Sequence, residues 1–214
     1  MTEIRDEVPR DCAGAREIGF AIPERYNASR ILFDNLTKGH GTELALTGPA
    51  GTRTYAELCT DAARWGHALV SLGLKRGDRV LLFLDDTPAY PAAFFGAVRA
   101  GFVPLLINTL TSPELLQFYL ADSAATVAIA DAEFCSRFNS EACHDTVLRT
   151  LIVVNGMAGE HAAPNAVAAD AWLQQFPVEL AEADTHRNEM AFWMYSSGST
   201  GRPKGIVHLQ HDMA

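Results

Sequence analysis

The segment Tyr195-Ser196-Ser197-Gly198-Ser199-Thr200-Gly201-Arg202-Pro203-Lys204-Gly205 gathers glycines, hydroxyls and one lysine directly after the apolar run Met190–Met194. Residue types of this kind bind phosphate. Gly198, Gly201 and Gly205 let backbone N–H groups approach an anion without a Cβ in the way. Ser196, Ser197, Ser199 and Thr200 offer hydroxyls to phosphate oxygens, and Lys204 supplies a cation. The segment differs from the usual nucleotide-triphosphatase loop, because Lys204 follows Pro203 where that loop has glycine and precedes Gly205 where it has Ser or Thr. A Ser/Gly-rich string is often just a flexible surface loop. Here the fixed glycine, proline and lysine positions and the apolar strand feeding them favour a polyphosphate cradle. The expected ligand is ATP.

Other polar candidates carry less. His208, just past the segment, is a candidate for lining an acyl or nucleotide pocket, with an ordinary helix-opening residue as the equal alternative. His211 reads as the latter. His40, His67, His144, His161 and His186 fall in predicted loops or on polar helical faces and receive no chemistry. Asp85 and Asp86 follow a strand end, where helix capping is the commoner task. Cys12, Cys59, Cys135 and Cys143 show no CxxC spacing and read as reduced, mostly buried thiols, so neither a metal site nor a disulfide framework is expected.

The elements that must position the segment can be read from periodicity. Asn27 to Lys38 reads as a helix, and Leu44–Thr47 with Gly51–Thr54 as a hairpin around Gly48-Pro49. From Tyr55 to Leu72, Leu58, Ala62, Trp65, Leu69 and Leu72 form one apolar stripe, with Thr54 and Glu57 as a capping box. Arg79–Leu84 is apolar without alternation, as a strand buried on both faces should be. Ala89–Ala100 is predicted helical, Val103–Ile107 a strand, and Ser112-Pro113-Glu114 opens a further helix. Strands follow at Thr126–Ala130, Leu151–Val154 and Ala191–Tyr195, with helices at Ala132–Ser140 and near Ala171–Phe176. Asn155–Asn165 reads as a loop. This alternation implies an α/β fold with a mostly parallel sheet flanked by helices. The cradle then follows a strand at the sheet's carboxyl end, the customary ligand side of such folds.

Composition bounds the class. The chain has 214 residues, 48% of them hydrophobic and 20% charged, enough for a substantial core. A formal net charge of −9 without a Lys/Arg cluster argues against a nucleic-acid partner. No apolar run has signal-peptide or membrane-span length, so a cytoplasmic location is expected.

The segment resembles the signature of the adenylate-forming enzymes, the superfamily of acyl-CoA synthetases, peptide-synthetase adenylation domains and firefly luciferase. Thr54-Tyr55-Ala56-Glu57-Leu58, Gly77-Asp78-Arg79-Val80 and Phe94 to Gly101 followed by Val103-Pro104 resemble that family's upstream landmarks, in order. Gly205 to Met213 is similar to the continuation found in benzoate-CoA and related aryl-CoA ligases. The resemblance implies that residues 1–214 are the amino-terminal portion of an AMP-binding domain. It implies activation of a small carboxylic acid by Mg2+-bound ATP as an acyl-adenylate, then transfer to coenzyme A.

On this likeness Ser196, Ser197, Gly198, Ser199, Thr200, Gly201 and Lys204 would hold ATP, and His208 the acid. No catalytic residue and no metal ligand is expected within the chain, because the family places them downstream. The chain is accordingly expected to be a fragment, inactive by itself, of an enzyme that could be a homodimer. Two readings stay open beside the ligase: a non-catalytic nucleotide-binding module and the adenylation domain of a peptide synthetase.

Overall fold

A computed structural model describes residues 21–196 and 203–214. The first helix, α1 (Arg30–Thr37), leads to a hairpin of β1 (Leu44–Gly48) and β2 (Gly51–Thr54), then to the long α2 (Tyr55–Ser71). Then come β3 (Arg79–Phe83), α3 (Ala89–Arg99), β4 (Val103–Leu106), α4 (Pro113–Ser123), β5 (Val127–Asp131) and a 3-10 helix, Ala132–Arg137. The chain continues through β6 (Thr150–Val154), β7 (Asn165–Ala168), α5 (Ala169–Leu173), β8 (Met190–Ser196), β9 (Lys204–Leu209) and a 3-10 turn, Gln210–Met213.

β3 to β9 form one seven-stranded sheet in the order β7-β6-β5-β3-β4-β8-β9. Every neighbouring pair is parallel except β8 and β9. The α/β class, the parallel sheet and the helical flanks agree with the sequence.

The central strands bury alternate residues against opposite layers. Val80 and Leu82 join Ile129, Ile152 and the inner faces of α2 and α3. Leu81 and Phe83 join Leu105, Leu151 and the inner face of α4. This two-sided burial explains why β3, β5 and β6 lack polar alternation.

α2 starts as its sequence predicts. Glu57 N–H donates to Thr54 Oγ1 (3.3 Å) and Thr54 N–H donates to Glu57 Oε2 (2.8 Å). α2 and α3 cross so closely that a Cβ on Gly96 would lie 2.4 Å from the Ala62 carbonyl oxygen. The small side chain is therefore a packing requirement.

Several local expectations are corrected. α1 begins at Arg30, because the Asn27 side chain is engaged ahead of it: its Oδ1 accepts from the nearby Ser29 N–H, and its Nδ2 donates to the distant Val98 carbonyl. Ala132–Arg137 is a 3-10 helix, shorter than the predicted Ala132–Ser140. The predicted loop Asn155–Asn165 ends in β7, a short edge strand pairing with β6. The predicted helix near Ala171–Phe176 is instead Ala169–Leu173. Asp85 and Asp86 cap no helix, since α3 has Pro88 at its N-cap without a side-chain bond. Cys59 and Cys135 are buried and Cys143 half-buried, all three as free thiols, and Cys12 lies outside the described residues.

Candidate functional site

β8 lies beside β4 and delivers Ser196 to the carboxyl rim of the parallel strands. β9 returns antiparallel, and its first residue, Lys204, is the direct cross-strand partner of Ser196. The two ends of the hydroxyl-and-glycine segment are thus held together, with Lys204 exposed and Ser196 half-buried. Ser197, Gly198, Ser199, Thr200 and Gly201 lie outside the described residues.

Next to this ladder end, a cleft of about 440 Å³ opens over the carboxyl ends of β3, β4 and β8. Asp85, Asp86, Asn108, Thr109, Tyr119 and Tyr195 line it. Among the described residues, no lysine or arginine lines it.

The rim is cross-braced by Asp131 at the end of β5, a carboxylate only 3% exposed. Its Oδ2 accepts the Asp85 backbone N–H (2.8 Å) and its Oδ1 accepts Asn155 Nδ2–H (2.6 Å). Asp85 in turn accepts a bond from the Thr109 hydroxyl (3.2 Å). The bonds span β4 to β6, and a buried carboxylate is tolerated because donors occupy both oxygens. Asp85 therefore serves the rim and not a helix cap.

Tyr195 sits one residue before Ser196 with its ring against Tyr119, centroids 4.3 Å apart. Its hydroxyl donates to Asp122 Oδ2 on α4 (2.9 Å). Burial first, then the bond to Asp122, pushes the phenol well above its ordinary range. Sequence reasoning named Tyr195 only as the first residue of the segment and did not single out Asp122, Asp131 or Thr109. A polar residue closing a wholly apolar strand, as Asp131 does, is the one signal available.

His208 occupies β9 and no helix. Its ring stacks on Phe192, its cross-strand partner, at 4.3 Å and 8° between planes. Its Nδ1 lies 3.5 Å from Asp212. Four residues along a strand put it about 13 Å from Lys204, on the same sheet face. His211 falls in the 3-10 turn, its Nδ1 2.8 Å from the Arg187 carbonyl oxygen. Gln210, buried beside it, accepts the Ala28 N–H and donates to the Met190 carbonyl, fixing the turn to the body of the fold.

Comparison with known proteins supplies the wider frame. A benzoate-CoA ligase of Thauera aromatica is 40% identical over 194 residues, covering 90% of this chain and 36% of the relative. A 4-hydroxybenzoate-CoA/benzoate-CoA ligase of Rhodopseudomonas palustris is 37% identical over 185 residues, covering 86% and 33%. An anthranilate CoA ligase crystallised with anthranoyl-AMP superposes with a TM-score of 0.82 at 32% identity, covering 89% of this chain and 36% of that one. The chain thus spans about a third of the length of these relatives. The profile of the AMP-binding enzymes matches residues 33–214, and the chain belongs to that family.

Proposed function

We propose that residues 1–214 are the amino-terminal portion of the AMP-binding domain of an ATP-dependent acid:CoA ligase acting on benzoate or a related aromatic acid. The observation that carries the reading is the pairing of Ser196 with Lys204 at the carboxyl rim, beside the cleft. The aryl acid is argued from the relatives, whose names specify benzoate and hydroxybenzoate.

In the proposed first half-reaction a carboxylate oxygen bonds to the α-phosphorus of ATP. The bond to the β-phosphate oxygen breaks, and pyrophosphate leaves with its electron pair. Charge builds on the leaving group, so donors fixed beforehand around its oxygens lower the barrier. Ser196, Ser197, Gly198, Ser199, Thr200, Gly201 and Lys204 are the residues proposed to hold it. Mg2+ enters as the counter-ion of ATP, and no residue of this chain is assigned to it. In the second half-reaction the thiol of coenzyme A displaces AMP. His208, on the sheet face shared with Lys204, is the proposed contact for the acid. A cytoplasmic location and a homodimeric assembly complete the proposed reading.

The test is ATP–pyrophosphate exchange by the native full-length polypeptide with benzoate, hydroxybenzoates, anthranilate, a short fatty acid and amino acids. Fastest exchange with an aromatic acid is expected. Exchange with amino acids alone, or with no acid, would overturn the reading.

A further inference from the structure

The strand that enters the phosphate segment is anchored from one side by a contact that the adenylation chemistry does not itself require. Tyr195 ends its side chain on Asp122 of α4, and its ring is flanked by two aromatic residues of the same helix. Tyr119 lies at 4.3 Å, and Phe118 meets it edge-on at 6.2 Å. α4 itself is well fixed. Its first turn is capped by Ser112, and Leu116 and Leu120 are fully buried in the layer under β3 and β4. The anchor is therefore a rigid helix, and the anchored object is the last strand residue before Ser196.

We infer that Tyr195 is a positioning residue for ATP: by its hydroxyl bond to Asp122 it fixes the height and direction at which Ser196 and Lys204 meet. The inference rests on the ligase reading above. Tyr195 does not touch the reacting atoms in this account. It acts through Ser196, its neighbour in the chain, and through Gly205, its cross-strand partner, which adjoins Lys204.

Two features separate this from ordinary packing. A tyrosine needed only to fill space would keep its value as phenylalanine, because the ring contacts with Tyr119 and Phe118 survive that change. The polar bond has a direction, and it joins β8 to α4 one residue before Ser196. Misplacing a substrate-holding group by a small fraction of its contact distance lowers reactivity steeply. Loss of the bond should therefore show in nucleotide use more than in folding.

The experiment compares wild type with Tyr195→Phe, Asp122→Ala and the double variant in the native full-length polypeptide. ATP–pyrophosphate exchange gives KM for Mg-ATP and for benzoate, and thermal melting reports folding. Tyr195→Phe should raise KM for Mg-ATP about five- to tenfold, with KM for benzoate unchanged. Asp122→Ala should do the same, and the double variant should be no worse than either single one, since both remove one bond.

The Tyr195 phenol, followed by its ultraviolet titration, should fall towards the ordinary tyrosine range in Asp122→Ala. This readout needs no catalysis. Unchanged KM for Mg-ATP in Tyr195→Phe, additive losses in the double variant, or an unmoved phenol titration would overturn the assignment. Absence of exchange in wild type would instead sink the ligase reading, while the phenol titration would still decide whether the bond exists.

Discussion

Ser196 and Lys204 are cross-strand partners, so the hydroxyl-and-glycine segment between them leaves and re-enters the sheet at one point. Under the proposed function, a cation opposite a hydroxyl at the rim would meet the charge that develops on the leaving pyrophosphate. Lys204→Ala and Thr200→Ala in the native full-length polypeptide should each slow ATP–pyrophosphate exchange by about a hundredfold, the scale of losing one donor to a developing oxyanion. Exchange at the wild-type rate in both variants would count against the segment as the pyrophosphate grip.

Gly96 faces the Ala62 carbonyl where α2 and α3 cross. A methyl group there must push the helices apart, and overpacking of this kind costs about 1–3 kcal/mol. Gly96→Ala should lower the urea midpoint by the corresponding amount. A midpoint equal to wild type would show that the crossing relaxes freely.

Asp131 leaves two donors stranded when shortened: the Asp85 N–H and the Asn155 amide. Bonds to a charged acceptor are worth about 1.5–3 kcal/mol each. Asp131→Ala should therefore destabilise the chain by several times the cost of the surface change Thr54→Ala, about 1 kcal/mol through the lost α2 cap. Denaturant titration of the two variants side by side checks the ratio.

The Cys59 thiol is pushed up to about 11 by burial, with Arg99 opposing. A thiol that ionises less readily when folded contributes stability at and below the unfolded value, and this is lost as pH rises towards the folded one. Cys59→Ala should therefore flatten the loss of stability between pH 9 and pH 11. Melting curves across that window read it, and equal slopes for both proteins would contradict it.

Arg30 holds the Glu182 carboxyl below its ordinary value, chiefly through the side-chain hydrogen bond. The sign is opposite: the stabilisation is present above the unfolded value and is lost as pH falls through the folded one. Both side chains are about a third exposed, so the pair is worth at most about 1 kcal/mol after solvent screening. Glu182→Gln should be less stable than wild type at pH 7, with the two converging in acid below about pH 4.

The buried parallel strands were legible because double-sided burial leaves an unbroken apolar run, as in Val80–Phe83. The α2 cap was legible because Thr54 and Glu57 satisfy each other locally. β7 and β9 were not. Both sit at sheet edges, where one face and one backbone side meet solvent and the apolar signal thins. Ile206-Val207 was the remaining hint for β9, masked by flanking glycine and histidine. The rim's polar ties escaped notice because Asp131, Asp85 and Asn155 are far apart in sequence and meet only once three strands align.

That braced rim has a mechanical corollary. A blow to Asn155, on the β6 side of the sheet and not among the cleft's lining residues, should be felt by Thr109 on its wall, since the three acceptor–donor links between them work as a single girder.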